Sequence, residues 1–469
     1  MGERYDAVIV GAGPNGLAAA VELARNGRSV LVVEGANEIG GGTRTAELTL
    51  PGFRHDVCSA VHPLGAGSPF FRSLPLGRFG LEWVHPDVAL THPLADGEVV
   101  ALHRSLVATA IGLGRDGDRY RRHMGALVDH IDDLLDQVLG PLLRFPRHPV
   151  TLARFGLPAA LPATLLAGTY REQKTKALLA GIAAHSVTAL NRPLTSAIAL
   201  LLGAAGHAFG WPIARGGSAA IAHALGGYLE ELGGRIDTGQ MVSSLDDLPP
   251  AATYLLDVMP AAAARIAGDR VNKGRSRLET WKHGPPSFKI DWALDAPIPW
   301  ADPLSRSAGT VHVGGTFKQV VVAEGSVWKG RDTQQPFVLL SQPTLFDPSR
   351  APAGKHVAWG YCHVPFGFNG NRTEAIEAQV ERFAPGFRDV IAARHVMGPA
   401  ELEAHNPNYV GGDIGGGAFT TGQVVARPRF ARDPYRIGED VYLCSSATPP
   451  GAGVHGMSGY WAARSVLAK

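Results

Sequence analysis

The residues near the start of the chain have the types and spacing needed to bind a dinucleotide. The apolar run 5–10 predicts a strand, and Gly11, Gly13 and Gly16 follow it as a G-x-G-x-x-G turn. In such a turn the first glycine allows a tight bend, the second lets the backbone approach a pyrophosphate, and the third lets helix and strand pack closely. Residues 17–25 predict the helix, whose N-terminus would present free N–H groups and a partial positive charge to the phosphates.

An acid completes this motif. Glu34 follows a second predicted strand over 29–33, at the position where a carboxylate accepts hydrogen bonds from a ribose 2′-hydroxyl. An acid here disfavours a cofactor with a 2′-phosphate, which would require an arginine, but it does not separate NAD from FAD. Because strand, turn, helix, strand and acid occur in this order, the motif is more specific than a lone glycine cluster.

A second glycine run, 40–42, follows shortly after Glu34 and precedes Thr43 and Arg44. A glycine turn at this point suits a loop that folds back over a long dinucleotide, where Arg44 would meet the pyrophosphate charge. An ordinary flexible loop is the alternative, because glycine runs are common in turns. The cofactor-binding residues that the two motifs predict are Gly11, Gly13, Pro14, Asn15, Gly16, Glu34, Gly41, Gly42, Thr43 and Arg44.

The composition of the chain limits the classes of partner that we expect. The 469 residues are 45% hydrophobic, which permits a substantial core, and 44 basic against 42 acidic residues give a formal net charge of +2. This balance gives no reason to expect nucleic acid as a partner. The three cysteines, Cys58, Cys362 and Cys444, form no C-x-x-C pair and fit a reducing compartment. The sequence contains no clustered Cys/His ligand set, so we expect no metal.

One segment, 193–214, contains no charged residue and is long enough to span a bilayer. Pro193, His207, Gly210 and Pro212 interrupt its apolar centre, so the first interpretation is a buried helix beside a substrate cavity. A peripheral membrane contact and a true membrane span are the other two interpretations. The chain enters its first strand almost at once and leaves no room for a signal peptide. We therefore expect a cytoplasmic protein, with membrane association under the second interpretation.

Five stretches distributed along the chain carry a family resemblance. They are GAGPNGL from Gly11, LPGFRHDVCSAVHPL over 50–64, FKIDWAL over 288–294 with Pro297 and Trp300, RAPAGKHVAWGYCHVP over 350–365, and TPPGAGVHGMSGYWAA over 448–463. With these stretches the chain resembles the phytoene-desaturase-like group of FAD-dependent oxidoreductases over essentially its whole length. Within that group it is more similar to the branch named after pyridine nucleotide-disulphide oxidoreductase domain-containing protein 2.

The resemblance implies FAD as the cofactor, a two-domain architecture related to amine oxidases, and an oxidation that removes a hydride. It leaves the substrate open. The chain departs from the group at Ser458, where a cysteine is usual, and at Trp461, where a small polar residue is usual. Both positions are expected beside the flavin. The chain also lacks the cysteine pair that the name of the branch suggests, so we expect no dithiol relay.

The nucleotide-binding signals occur at the start, the middle and the end of the chain. A second glycine turn followed by a helix, over 216–234, supplies the middle signal. This order predicts an α/β fold with a discontinuous Rossmann-type FAD-binding domain and an inserted substrate domain of mixed sheet plus helices. The predicted parts are the FAD-binding domain at 1–64, 214–284 and 406–469, the helical part of the substrate domain at 65–213, and its sheet part at 285–405.

The C-terminal glycine series is predicted to lie at the flavin. Gly451, Gly453 and Gly456 precede a last helix, whose N-terminus would stabilise the negative charge of a reduced flavin. His455 would add a positive charge or a hydrogen bond there, or else cap and pack the turn. The further cofactor-binding residues predicted are Val242, at the end of a predicted strand, with Gly453, Val454, His455, Gly456 and Met457.

The candidate catalytic residues are Lys289, Asp291 and His363, together with His455. The stretch FKIDWAL alternates as a half-buried strand, which places Lys289 and Asp291 on one face. These two residues supply a base or a hydride-orienting group if that face meets the flavin, or an ion pair that holds the sheet. His363 ends another predicted strand, 355–363, where the alternative is a satisfied structural histidine.

The sequence favours an FAD-dependent oxidase or desaturase that removes a hydride from an apolar organic small molecule. No second dinucleotide motif is evident, so we expect reoxidation by O₂, a quinone or a protein partner. A flavin amine or amino-acid oxidase is the first alternative, with Trp292, Trp359 and Tyr361 as candidates for an aromatic cage. A non-catalytic binding protein with a fold like that of the Rab GDP-dissociation inhibitors is the second, although the intact glycine turn and Glu34 favour the enzyme. The oligomeric state stays open.

Overall fold

Two large sheets, one parallel and one mixed, form the centre of the molecule. The computed structural model describes residues 4–94, 97–271 and 274–469 of the chain. The strands are β1 (Tyr5–Val10), β2 (Val30–Val33), β3 (Thr45–Glu47), β4 (Arg54–Asp56), β5 (Trp83–Val84), β6 (Val88–Pro93), β7 (Val99–Leu102), β8 (Ile213–Ala214), β9 (Arg235–Asp237), β10 (Ala251–Leu256), β11 (Ser287–Leu294), β12 (Ala308–Val313), β13 (Val338–Ser341), β14 (His356–His363), β15 (Ile391–Met397) and β16 (Val441–Leu443). The helices are α1 (Pro14–Arg25), α2 (Pro63–Ala66), α3 (Pro69–Arg72), α4 (Leu106–Gly112), α5 (Gly117–Val128), α6 (Ile131–Val138), α7 (Pro149–Ala159), α8 (Ala163–Gly168), α9 (Gln173–Ala183), α10 (Thr195–Phe209), α11 (Ala219–Glu231), α12 (Pro260–Ala267), α13 (Arg275–Glu279), α14 (Phe317–Trp328), α15 (Thr373–Glu381), α16 (Pro399–His405), α17 (Thr421–Val425) and α18 (Met457–Leu467).

The parallel sheet has five strands in the order β16-β10-β1-β2-β9. Its central strand β1 pairs with β10 on one side and with β2 on the other. Residues from the start, the middle and the end of the chain therefore share one sheet, which confirms the predicted discontinuous Rossmann-type fold. Because the strands are parallel, their carboxyl ends meet at one edge, where ligands bind in open α/β sheets.

The first and last helices of the chain pack closely against each other. A Cβ on Gly459 of α18 would lie 1.8 Å from the carbonyl oxygen of Asn15 in α1, so the contact requires glycine at position 459. This packing brings the segment before α18 next to the glycine turn before α1. The two glycine motifs at opposite ends of the sequence thereby become neighbours.

The mixed sheet has seven strands in the order β15-β11-β14-β13-β12-β6-β7. In the antiparallel pair β11 and β14, Lys289 lies opposite Tyr361 and Asp291 lies opposite Trp359, so these four side chains share one face. The alternate residues of β11 belong to a separate apolar core on the other face, and they are Phe288, Ile290 and Trp292.

The alternation predicted for FKIDWAL is present, but the strand is buried on both faces. Lys289 is 3% exposed and Asp291 is fully buried. The covering residues include His55 of β4, whose Nδ1 lies 3.6 Å from Asp291 Oδ1. The polar face of β11 therefore meets the rest of the protein and not solvent, a long-range contact that the local pattern does not contain.

The stretch 65–213, predicted as the helical part of the inserted domain, also supplies two strands of the mixed sheet. β6 pairs in parallel with β12, and β7 pairs with β6 at the edge of the mixed sheet. The inserted unit thus builds its sheet from two distant parts of the chain. Its helices, α9 and α10 among them, pack beside that sheet.

The apolar segment 193–214 forms helix α10 followed by the short strand β8. Most of α10 is buried or half-buried within the inserted unit. Among the residues that the structure describes, no helix has both the length and the apolar character needed to cross a bilayer.

A buried ion pair joins strand β4 to the segment before β14 of the mixed sheet. Arg350 Nη2 donates to Asp56 Oδ2 at 2.9 Å, and both residues are at most 1% exposed. Ser218 N–H and Thr45 Oγ1 also donate to Asp56 Oδ1, at 2.7 and 2.9 Å. Burial alone would raise the pKa of Asp56, but Arg350 and these donors hold the pKa below its ordinary value.

Removing Arg350 should therefore be costly. We expect Arg350→Met to lower the free energy of unfolding by about 3–5 kcal/mol, because the Asp56 carboxylate would remain buried without its cation. Urea denaturation followed by circular dichroism measures the change. Arg78→Met is the matched control, since Arg78 pairs with Glu231 on the surface, and it should change stability by less than about 1 kcal/mol. Equal effects of the two substitutions would contradict the structural role of the Asp56–Arg350 pair.

Candidate cofactor and substrate site

A continuous cavity of about 780 Å³ lies between the carboxyl edge of the parallel sheet and one face of the mixed sheet. This volume is in the upper part of the range for small-molecule and cofactor sites. The cavity begins at the glycine turn and reaches helix α10. The residues that the two sheets and the turn after β16 contribute include Val10, Gly11, Glu34, Asp257, Ser445, Thr310, Leu339, Trp359 and Tyr361.

The glycine turn has the geometry that its sequence predicts. Gly13 is the N-cap of α1 and lines the cavity together with Gly11, Pro14 and Asn15. Gly16 does not line the cavity, because it packs under the turn: a Cβ there would lie 2.0 Å from the carbonyl oxygen of Gly11. The third glycine therefore serves helix packing, and the first two leave backbone facing the cavity.

The carboxylate of Glu34 organises the loop around it. Its Oε2 accepts a hydrogen bond from Ala12 N–H at 2.7 Å, and its Oε1 accepts one from Ala36 N–H at 2.9 Å. Arg44 Nη2 donates to Glu34 Oε1 at 3.2 Å and to the Glu38 carbonyl at 3.0 Å. Arg44, predicted to meet a pyrophosphate, is thus held beside Glu34 on the cavity wall.

The segment 240–242 lies beside Glu34. Gln240 N–H donates to the Glu34 carbonyl at 2.9 Å, and a Cβ on Gly35 would lie 2.7 Å from the Met241 methyl carbon. Val242, predicted from the end of a strand, lines the cavity with Met241. The strand itself, β9, ends earlier, at Asp237.

The lining near the glycine turns fits a dinucleotide. Gly41 and Gly42 face the cavity, and a Cβ on Gly42 would lie 2.3 Å from the Tyr409 hydroxyl. Thr43 is fully buried behind them, where its hydroxyl donates to the Gly40 carbonyl. Arg44 Nε and Asn15 Oδ1 are buried and have no hydrogen-bond partner in the described part of the chain. A donor and an acceptor therefore remain for a bound group.

The C-terminal glycine series reaches the cavity only in part. Gly453, Val454 and His455 line it, whereas Gly456 and Met457 lie behind the wall. A Cβ on Gly456 would meet the Phe71 ring at 2.5 Å, and Met457 begins α18.

His455 is a helix cap without charge. Its Nδ1 accepts a hydrogen bond from Met457 N–H at 3.1 Å, at the start of α18. Burial lowers the pKa of His455 to about 4, against the opposing effect of the Ala452 carbonyl. The imidazole is therefore neutral near pH 7, and the predicted positive charge at this place is absent.

Lys289 and Asp291 form a buried ion pair. Lys289 Nζ lies 2.5 Å from both carboxylate oxygens of Asp291. Burial alone would raise the pKa of Asp291, but Lys289 and the neighbouring His395 and His55 hold it below its ordinary value. Neither Lys289 nor Asp291 lines the cavity. The geometry agrees with the ion-pair alternative, in which Lys289 also lies 5.8 Å from the centre of the Trp359 ring.

His363 is paired with an acid that the sequence did not single out. Its Nδ1 lies 2.8 Å from Glu324 Oε2, and both side chains are at most 3% exposed. Its Nε2 has no partner among the described residues. Tyr361, two residues before it on the same face of β14, lines the cavity, whereas His363 does not.

The cavity wall that the inserted unit supplies carries no charge. Helix α10 contributes Ile198, Leu201 and Leu202, and β14 contributes Trp359 and Tyr361, whose rings stack with centroids 5.8 Å apart. Trp292, considered for an aromatic cage, points to the opposite face of the sheet.

His185 also lines this wall, and burial lowers its pKa to about 3, so the ring is neutral. Its Nε2 lies 3.1 Å from His312 Nε2. Among the described residues, the walls contributed by α6, α10, β12, β13 and β14 contain no Lys, Arg, Asp or Glu.

Sequence reasoning missed several residues of the site. Asp257, Cys58, His185 and Arg427 all line the cavity. Asp257 lies near the end of the apolar run 254–258, which predicts a strand, and it directly follows β10 in the structure. A carboxylate at the end of a parallel strand was therefore the available signal. Conversely, Ser458 and Trp461, expected beside the flavin, do not line the cavity.

The comparisons with known proteins agree with this geometry. A family model described as an NAD(P)-binding Rossmann-like domain matches residues 9–74. Pyridine nucleotide-disulfide oxidoreductase domain-containing protein 2 of Mus musculus is 27% identical over 547 aligned positions, which cover 99% of this chain and 93% of the mouse protein. A lycopene-forming phytoene desaturase of a Paracoccus species is 24% identical over 56% of each chain. The chain is an oxidoreductase that is similar to the phytoene desaturases.

A solved structure of putrescine oxidase bound to putrescine shares the fold of the oxidoreductase. The two superpose with a TM-score of 0.63 over the full length of both chains, at 17% sequence identity. The predicted amine-oxidase-like two-domain architecture is thus confirmed. The name of the mouse relative refers to disulfides, but Cys58, Cys362 and Cys444 of the oxidoreductase are free thiols.

The ion pair under the Trp359 ring provides a test of the site. Asp291→Asn should lower the free energy of unfolding by about 3–5 kcal/mol, because it leaves the Lys289 ammonium buried without a counter-charge. The double variant K289M/D291L removes both charges and should recover most of that loss. Urea denaturation of the two variants and the parent measures both effects. A single variant as stable as the parent would contradict the structural assignment of the pair.

Proposed function

We propose that this oxidoreductase binds FAD and oxidises an apolar organic small molecule by hydride removal, as an oxidase or a desaturase. The observation that carries the proposal is the continuity of the cavity. Its one end is lined by the glycine turn, Glu34 and Arg44, and its other end by the uncharged wall of α10 and β14. A dinucleotide and an apolar substrate would therefore share one continuous cavity.

The residues at the dinucleotide end of the cavity would bind the pyrophosphate and the ribose and offset the charge of the phosphates. The backbone at Gly11 and Gly13 and the N-terminus of α1 would hold the pyrophosphate, and Glu34 would accept hydrogen bonds from the ribose. Arg44 Nε would donate a further hydrogen bond. Gly453 and Val454 would lie against the flavin ring system. A bound FAD supplies the hydride acceptor in this reaction.

The residues at the substrate end of the cavity would orient the substrate and exclude water from it. The stacked rings of Trp359 and Tyr361 and the aliphatic side chains of α10 offer a low-dielectric surface with no ionised group to solvate. We assign Lys289, Asp291, His363 and His455 to positioning. Three of them do not line the cavity, and the fourth caps α18. O₂, a quinone or a partner protein would accept the electrons.

Amine oxidation is the second candidate function. The Trp359–Tyr361 pair and the fold shared with putrescine oxidase favour it. The walls from α10 and β14 contain no Asp or Glu to pair with a cationic substrate, which favours the apolar substrate instead. A binding protein without catalysis would not need the glycine-lined end of the cavity.

Purified protein should contain FAD in about stoichiometric amount. The FAD is released by denaturing the protein and is identified by chromatography.

Gly13→Val should abolish FAD retention, since a side chain would fill the space between the turn and Asp257. Glu34→Ala should weaken FAD binding by about 1.5–3 kcal/mol, the value of a charged hydrogen bond. Gly77→Val is the matched control, because position 77 has no atom within 4 Å of an added Cβ. If Gly13→Val and Glu34→Ala retain FAD as tightly as the parent and the Gly77→Val control do, the assignment of the site is wrong.

A substrate panel separates the two candidate functions. Under anaerobic conditions, apolar alkenes and terpenoids should bleach the visible absorbance of the flavin, whereas primary amines and diamines should not. Leu201→Asp, which places a charge in the uncharged wall, should slow bleaching by an apolar compound by at least about tenfold at unchanged FAD content, the equivalent of about 1.4 kcal/mol. Rapid bleaching by amines alone would establish amine oxidation in place of the proposed function.

A further inference from the structure

Asp257 brings a second carboxylate to the glycine turn. The residue follows β10, lines the cavity and is 8% exposed. Its Oδ2 accepts a hydrogen bond from Gly16 N–H at 2.8 Å, so a side chain from another strand caps the N-terminus of α1. A Cβ on Gly13 would lie 2.9 Å from the same oxygen. The helix N-terminus that would bind a pyrophosphate is therefore already in contact with an acid.

No cation neutralises this acid. Within residues 4–94, 97–271 and 274–469, no Lys, Arg or His forms an ion pair with Asp257, whose carboxylate accepts its hydrogen bond from the Gly16 N–H. Arg44 is bound to Glu34, and Arg265 of α12 lines the same cavity without pairing with Asp257. Burial raises the pKa of Asp257 to about 7, with the Gly16 N–H opposing the rise and the Glu34 carboxylate adding to it.

The other neighbours of Asp257 do not titrate near neutral pH. The thiol of Cys444, after β16, has a pKa raised by burial and by Asp257 itself. Asn408, from the loop after α16, donates from its side-chain amide to the Asp257 carbonyl at 3.3 Å and carries no charge. The hydroxyl of Tyr409 on the same loop has a pKa raised by burial. Of Asp257, Cys444 and Tyr409, Asp257 is thus the group whose pKa lies nearest to neutral pH.

We propose that Asp257 is a neutral carboxylic acid in the dinucleotide complex, so that binding of FAD takes up one proton from solvent. The inference rests on the proposed function, because it requires a pyrophosphate at the glycine turn. Two anions at one helix N-terminus repel each other in a buried site. A proton on Asp257 removes this repulsion and lets the acid donate a hydrogen bond to a phosphate oxygen while its other oxygen keeps the Gly16 N–H.

The proton uptake makes FAD affinity depend on pH. Below the pKa of the free carboxyl group Asp257 already holds its proton, so affinity should be flat. Above that pKa each binding event must take a proton from solvent, and the dissociation constant should rise about tenfold per pH unit. Fluorescence titration of the apoprotein with FAD between about pH 6 and about pH 9 measures the slope. Calorimetric titration in two buffers with different ionisation enthalpies counts the proton directly, and we expect a value close to one at the alkaline end.

Asp257→Asn tests the assignment, because the amide is neutral at every pH and keeps the shape of the acid. This variant should bind FAD with an affinity independent of pH, and more tightly than the parent at the alkaline end. Asp237→Asn is the matched control. Asp237 ends β9 close to Glu34, is paired with Arg235 and lies outside the cavity wall, so this variant should keep the parental slope.

The outcomes distinguish a failure of the proton-uptake inference from a failure of the proposed function. FAD bound by the parent with a flat pH dependence and no proton uptake would overturn the inference and leave the proposed function intact. A slope that survives in Asp257→Asn would also overturn it. A parent that binds no FAD at any pH would overturn the proposed function and the inference with it. If Asp257→Asn does not fold, the proton count of the parent decides.

Discussion

The backbone contact between the first and last helices is the constraint on which the rest of the structure depends. A Cβ at Gly459 would lie 1.8 Å from the Asn15 carbonyl, and one at Gly16 would lie 2.0 Å from the Gly11 carbonyl. Without side chains at these two positions, α18 rests on α1 and α1 rests on the turn. The Ser68 hydroxyl then donates to the His455 carbonyl at 2.6 Å, which fixes the C-terminal segment at the cavity. One cofactor site is thereby assembled from both ends of the chain.

The side chains that line the cavity are charged at one end and neutral at the other. The acids Glu34 and Asp257 and the base Arg44 lie at the dinucleotide end. The histidines of the wall are neutral near pH 7, because burial lowers the pKa of His62 and His185 to about 4 and about 3. Among the described residues, the walls from α10 and β14 contain no carboxylate that could pair with a cation.

The local patterns predicted the elements well and the partners of individual side chains poorly. The strand, the glycine turn and Glu34 follow from short-range rules, and so does the alternation that places Lys289 and Asp291 on one face of β11. The pairing of His363 with Glu324 spans 39 residues, and that of Gly16 with Asp257 spans 241. Contacts of this kind depend on tertiary packing, which a single sequence does not display. The strands β6 and β7 were missed because their neighbours in the sheet are distant in the chain.

Trp461, one of the two positions at which the sequence is expected to depart from the group, contacts the cavity wall from behind. The Trp461 indole N–H donates to the Leu139 carbonyl at 2.8 Å, and the Arg144 guanidinium lies 4.8 Å from the centre of its ring. Leu139 follows α6 and lines the neutral end of the cavity. A small polar residue at 461 would lack this indole donor and this ring, so Trp461 ties Leu139 of the cavity wall to the last helix. The departure expected at Trp461 thus concerns the position of Leu139 in the cavity wall, whereas the glycine turn and Glu34 keep the predicted dinucleotide-binding pattern.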